Sequence, residues 1–127
     1  MTDLFRLLPI FCLLAAAGAA PDAADGSWLT LRDDERTTYR LDLSSPDGPP
    51  ASRTCRIRRT FKVHDERAYA LDTVEIDCTR NSYRYRAILV FDRDDLLMHR
   101  YALTDQFCGI PGDSFLNRVR EEVCGAP

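Results

Sequence analysis

The residues of this chain whose side chains could do chemistry are a histidine beside two carboxylates, a second histidine, three serines and a set of cysteines. His64 precedes Asp65 and Glu66, a grouping that general acid–base catalysis could use. No nucleophile stands beside it, and His64-Asp65-Glu66-Arg67 reads as a solvated hairpin turn. His99 sits amid strand-forming residues and reads as structural. Ser44, Ser45 and Ser114 lie outside any nucleophile-elbow motif, and Ser114 is placed to start a helix. Cys55, Cys78, Cys108 and Cys124 could be pictured around zinc with His99. No pair has the short C-x-x-C type of spacing, so disulfides are the better reading. With no catalytic, cofactor-binding or metal-binding set assembled, the chain reads as a non-enzyme that needs no cofactor.

Two other sets could bind rather than react. Arg56, Arg58, Arg84 and Arg86 share one face of the expected sheet and could meet an anionic glycan or an acidic protein. Glu75 and Asp77 fall between them in the expected register, which favours a neutralised, salt-bridged face. Ile88, Val90 and Leu97 form an apolar cluster, with Ile88 and Val90 on the nominally outer face. The cluster is either covered by the N-terminal strand, the favoured reading, or exposed as an interface patch. The candidate partner-binding residues are therefore Ile88, Val90, Leu97 and Arg58.

The elements that must position these residues follow from periodicity. Trp28 to Leu31 is a short strand, and Tyr39, Leu41 and Leu43 alternate with polar neighbours in the next. Ser44 to Ser52, with Pro46, Gly48, Pro49 and Pro50, is a loop. Three segments of period two follow: Cys55, Ile57, Phe61 and Val63; then Val74, Ile76 and Cys78; then Tyr83, Tyr85, Ala87, Leu89 and Phe91. They argue an antiparallel meander with one buried face. A further hairpin, turning near Asp92-Arg93-Asp94-Asp95, runs to Leu103. Phe115, Leu116, Val119 and Val123 recur at helical spacing after Asp113 and Ser114, and Gly125 ends the helix. Such a short helix needs the sheet to hold it.

Charge matching selects registers. A loop at His64 to Arg67 pairs Val63 with Ala68, sets Ile57 against Val74 and Cys55 against Ile76, and brings Arg56 to Glu75 and Arg59 to Asp72. A two-residue turn at Arg80-Asn81 sets Cys78 against Tyr83, Ile76 against Tyr85 and Val74 against Ala87. Asp77 then meets Arg84 and Glu75 meets Arg86. Each such pair is worth at most about 1 kcal/mol, but a one-residue slip would bury the charges.

The chain has 127 residues and a net charge of −3 at pH 7, enough for one domain and without the basic excess that nucleic acid or an anionic membrane calls for. Its first twenty residues read as a signal peptide. Leu7 to Leu14 is the apolar core, and Ala15 to Ala20 supplies small residues for cleavage. The run is interrupted by Pro9 and barely reaches the roughly 20 residues of a membrane span. Pro9-Ile10-Phe11 before Cys12 lacks the small residues of a bacterial lipobox. After cleavage there is no membrane span, and residues 21–127 form the domain. Its four cysteines, in an oxidising compartment, read as two disulfides in one of three connectivities.

A Trp near the mature start, the Tyr39 strand, Asp77-Cys78, a Tyr/Arg-rich strand, Ile110-Pro111-Gly112-Asp113-Ser114 and the terminal Val123-Cys124 together resemble the bacterial surface-adhesin protein E family. The resemblance implies one antiparallel sheet with a C-terminal helix on one face and a bridge equivalent to Cys78–Cys124. Cys55 and Cys108, outside that pattern, pair with each other if both are oxidised. Family members sit at the bacterial surface and bind host proteins. The expected fold is thus α+β: an antiparallel sheet of about six strands in meander order, with a C-terminal α-helix packed on one face, disulfide-stapled. The expected function is that of an exported, non-enzymatic binding protein with a protein partner, in the periplasm or at the bacterial surface. The alternative is a small periplasmic inhibitor of a lysozyme or protease, presenting the loop Asp105 to Gly112 pinned by Cys108.

Overall fold

The computed structural model describes residues 27–63, 65–103 and 105–125. The expected leader at 1–20 and His64 lie outside the described residues. Six strands follow one another in a single antiparallel meander: β1 (Trp28–Asp33), β2 (Thr37–Asp42), β3 (Ser52–Phe61), β4 (Arg67–Asp77), β5 (Ser82–Asp92) and β6 (Leu97–Ala102). A two-residue strand, β7 (Cys108–Gly109), pairs with Ser82 and Tyr83 at the start of β5. The long β5 therefore has β6 along one end of its outer edge and β7 along the other. Helix α1 (Phe115–Cys124) closes the chain.

Aspartates open the tight connections. Asp34 accepts the backbone N–H groups of Arg36 and Thr37, Asp77 those of Thr79 and Arg80, and Asp92 those of Asp94 and Leu96. Each carboxylate replaces a backbone acceptor and so fixes where the strand stops. Asn81 and Asp95 complete two of these turns at positive φ, 54° and 63°, a conformation short polar side chains tolerate. In the longer β2–β3 loop, Gly48 has φ 99°, and a Cβ there would stand 2.7 Å from the Ser52 carbonyl oxygen.

Near the helix the faces match expectation while both registers differ by two residues. Past the irregularity between Thr73 and Val74 the β4–β5 register differs by one, so that Ala87, Leu89 and Phe91, expected on the buried face, turn to the outer one. Cys55 pairs with Val74 rather than Ile76, and Ile57 with Asp72 rather than Val74. Across the next hairpin Ile76 pairs with Tyr83 and Glu75 with Arg84. For this second hairpin the reason is at the turn. Asp77 caps a four-residue loop, residues 78–81, which displaces the two-residue turn expected at Arg80-Asn81. An even shift keeps the side chains of β3, of β4 and of β5 as far as Tyr85 on their own faces.

One face carries the core. Leu41, Cys55, Ile57, Val74 and Ile76 are buried against Leu116, Val119 and Val123 of α1. Phe115 sets its ring 4.6 Å from that of Tyr39. Ser114 is the N-cap by backbone conformation, but its hydroxyl donates to the Pro111 carbonyl instead of capping the helix. Gly125, at φ 78°, ends it. Cys78 and Cys124 form the bridge, with Cα atoms 5.8 Å apart. The expected second disulfide is not formed. Cys55 is a buried thiol under the helix, and Cys108 is an exposed thiol on β7. The intervening strands β4 and β5 keep the two apart. The end of the 105–112 loop is instead held by backbone pairing of β7.

Candidate partner-binding surface

Helix α1 packs against β1 and β3, so the core it covers lies toward one end of the inner face. The boundary of that core is a charge. Asp72 is fully buried on β4 and accepts from Nε and Nη2 of Arg59 at 2.6 and 2.9 Å. Burial pushes the Asp72 carboxyl up from its ordinary value, and the two Arg59 hydrogen bonds pull it back. Burial beside this pair also raises the Tyr85 phenol. Past Asp72 the inner face continues as Ala70, Ile88, Val90, His99 and Tyr101. A shallow groove of about 320 Å³ runs here, between Arg59, Phe61 and Arg67 on one side and Tyr101 and Leu103 on the other. The guanidinium carbons of Arg67 and Arg59 stand 5.0 and 5.6 Å from the Phe61 ring centroid.

The outer face is read row by row from the pairing. One row is Arg40, Arg58, Leu71, Leu89 and Arg100. The next is Thr60, Tyr69, Phe91 and Leu97. Tyr69 stacks on Phe91 with centroids 4.9 Å apart, donates its hydroxyl to Asp95 at 2.9 Å, and carries the Arg58 guanidinium 4.0 Å above its ring. Toward the other end lies a polar network. Glu75 accepts from Ser52, Arg84 and Arg86. The Ser52 hydroxyl foremost, and then the two arginines, hold its carboxyl below the ordinary 4.5. Arg56, expected opposite Glu75, instead pairs with Asp42 at 2.9 Å. Burial works against the Asp42 carboxylate, but Ser44 and Arg56 together hold its pKa low.

These rows separate the residues that the sequence grouped. Ile88 and Val90 face the inner side, while Leu97 and Arg58 face the outer side. Two β-bulges are the cause, one opposite Arg86 between Thr73 and Val74, the other between Val90 and Phe91. Each inserts a residue and exchanges the faces beyond it. Nor does the N-terminal strand cover the cluster, since β1 lies at the opposite edge of the sheet from β6. Val90 is buried all the same, Ile88 is half-buried and Leu97 is 45 % exposed.

No family model, curated protein or solved structure matches the chain. Its surface chemistry must therefore be read from its own residues. His99 lies exposed on β6, its ring 6.0 Å from that of Tyr101. Burial pushes the Cys55 thiol up to about 12, so it is protonated at neutral pH and a weak nucleophile. Among the described residues no group of three or more metal-type ligands gathers, and no helix is long and apolar enough to cross a membrane. Sequence reasoning missed the aromatic row. Its one visible signal was the outward parity of Tyr69 and Leu71 on the first half of β4.

Proposed function

We propose that this chain is an exported, non-enzymatic binding protein of the surface-adhesin protein E type, carried out of the cytoplasm by the leader at 1–20 and docking a protein partner in the bacterial envelope or on a host. The observation that carries the reading is the outer face. Leu71, Leu89 and Phe91 are half-buried and Leu97 is exposed, yet no helix or strand among the described residues lies over them. A contiguous apolar patch left on a sheet face is the kind of surface that marks a protein–protein interface. The single sheet, the terminal helix and the Cys78–Cys124 bridge agree with what the family resemblance implies. A pull-down from envelope and host-matrix fractions with the oxidised 21–127 chain tests the reading. A partner retained by the native chain and lost from Leu89→Asp supports it, whereas equal recovery by both removes it. Cell fractionation tests export, since a chain confined to the cytoplasm contradicts it.

The inhibitor reading keeps one specific support. Phe107 is 38 % exposed at the tip of the 105–112 loop, propped by the Arg84 guanidinium 4.5 Å from its ring and by the β7 pairing next to it. A partner whose binding is lost with Phe107→Ala and kept with Leu89→Asp favours this alternative.

A further inference from the structure

The outer row that crosses the sheet has a chemistry of its own. Arg40 on β2, Arg58 on β3, Leu71 on β4, Leu89 on β5 and Arg100 on β6 are consecutive cross-strand partners. Neighbouring strands lie about 4.8 Å apart, so the row spans roughly 19 Å. No carboxylate belongs to it. Acids on that face have partners of their own: Asp33 is held by Lys62 and Thr38, with a smaller influence from Arg40, Asp42 by Arg56 and Ser44, Glu75 by Arg84, Arg86 and Ser52, and Asp95 by the Tyr69 hydroxyl. Arg40 and Arg100 are exposed at the two ends, and Leu71 and Leu89 are half-buried between them. We infer that this row binds an extended acidic segment of a partner protein, with carboxylates meeting Arg40 and Arg100 and apolar side chains meeting Leu71 and Leu89. The inference rests on the binding reading above and supplies its surface and its ligand class.

Two observations favour a protein segment over an anionic membrane. The chain as a whole carries −3, without the basic excess that holds a protein to many anionic headgroups, whereas a short segment needs only the local charge of Arg40 and Arg100. The cationic feature is also one residue wide and bordered by the Glu75 and Asp42 networks. A strand of about six residues, at about 3.3 Å each, matches its length.

The test uses the oxidised full domain and a fluorescent peptide of alternating glutamate and leucine, with a glutamine-for-glutamate peptide as control and vesicles of anionic phospholipid as competitor. Binding by anisotropy should favour the glutamate peptide, weaken with salt, and fall about tenfold or more in Arg40→Glu/Arg100→Glu, as expected for charge reversal at an interface rim. A far-UV spectrum and an unfolding curve confirm that this surface variant is folded. Equal affinity for the glutamine peptide, affinity unchanged by the double reversal, or preference for the vesicles overturns the inference. The binding reading is separated by the pull-down. A partner lost with Leu89→Asp but retained by the double reversal overturns the acidic-segment assignment alone, whereas no partner for the native chain overturns both.

Discussion

Asp72 is where a single side chain sets the limits of the core. It is 0 % exposed, and Arg59 is its ion-pair partner. Removing one member of a buried pair costs about 3–5 kcal/mol, because the other is left uncompensated. Asp72→Ala should therefore lower the unfolding free energy measured by urea denaturation by that amount. Replacing both residues, Arg59→Met with Asp72→Leu, should recover most of the loss, and a double-mutant cycle reads the difference. The acid response at the outer network has a defined sign. The Glu75 carboxyl lies below its ordinary 4.5 in the folded chain, so its contribution is present above 4.5 and is lost as pH falls through the lowered folded value. Asp72, raised by burial, acts oppositely. Its charged form costs stability, and that cost fades as pH falls. Unfolding curves of Glu75→Gln should lose part of the acid-induced drop seen in the native chain. An identical pH profile for both would show that Glu75 is not coupled to folding.

At the scale of elements, the hairpins and the helix carry separate predictions. Gly48→Ala places a Cβ against the Ser52 carbonyl at positive φ, which should destabilise by more than about 1 kcal/mol. Thermal melting would detect it. Cys124→Ser frees α1 from the loop that follows β4 and should cost about 2–4 kcal/mol. Hydrogen exchange would show the loss of protection concentrated at Leu116, Val119 and Val123. Much of this architecture was legible in the sequence. Period-two alternation placed the strands and, except in the second half of β5, their faces, and the Phe115 to Val123 stripe placed the helix. Registers were not legible, for a definite reason. Charge matching favoured a register two residues away: in the structure Glu75 still meets an arginine, Arg84, but Asp77 falls opposite Ser82 and Arg56 opposite Thr73. Between β4 and β5 the deciding residue was Asp77, whose carboxylate caps a longer turn. The bulges were hidden differently. Ala87 to Phe91 is apolar throughout, so either parity satisfies the pattern, and only the backbone pairing shows that Ile88 and Val90 leave the face that Leu97 keeps.

For the whole molecule, the thiol inventory is a consequence of topology. Cys55 lies under α1 while Cys108 lies at the edge of β5, beyond β4. The oxidised 21–127 chain should yield one fast thiol, from Cys108, and a second, from Cys55, only on unfolding. Peptide mapping without reductant should return Cys78–Cys124 alone. The same topology leaves one side of the sheet without a covering helix or strand among the described residues, and that is why a binding role fits this small domain. Backbone amide shifts of the oxidised protein, recorded with and without the captured partner, test that role most directly. Perturbation centred on Arg40, Arg58, Leu71, Leu89 and Arg100 is the predicted result. Perturbation confined to residues 105–112, or to the inner groove around Ile88 and Tyr101, would contradict it.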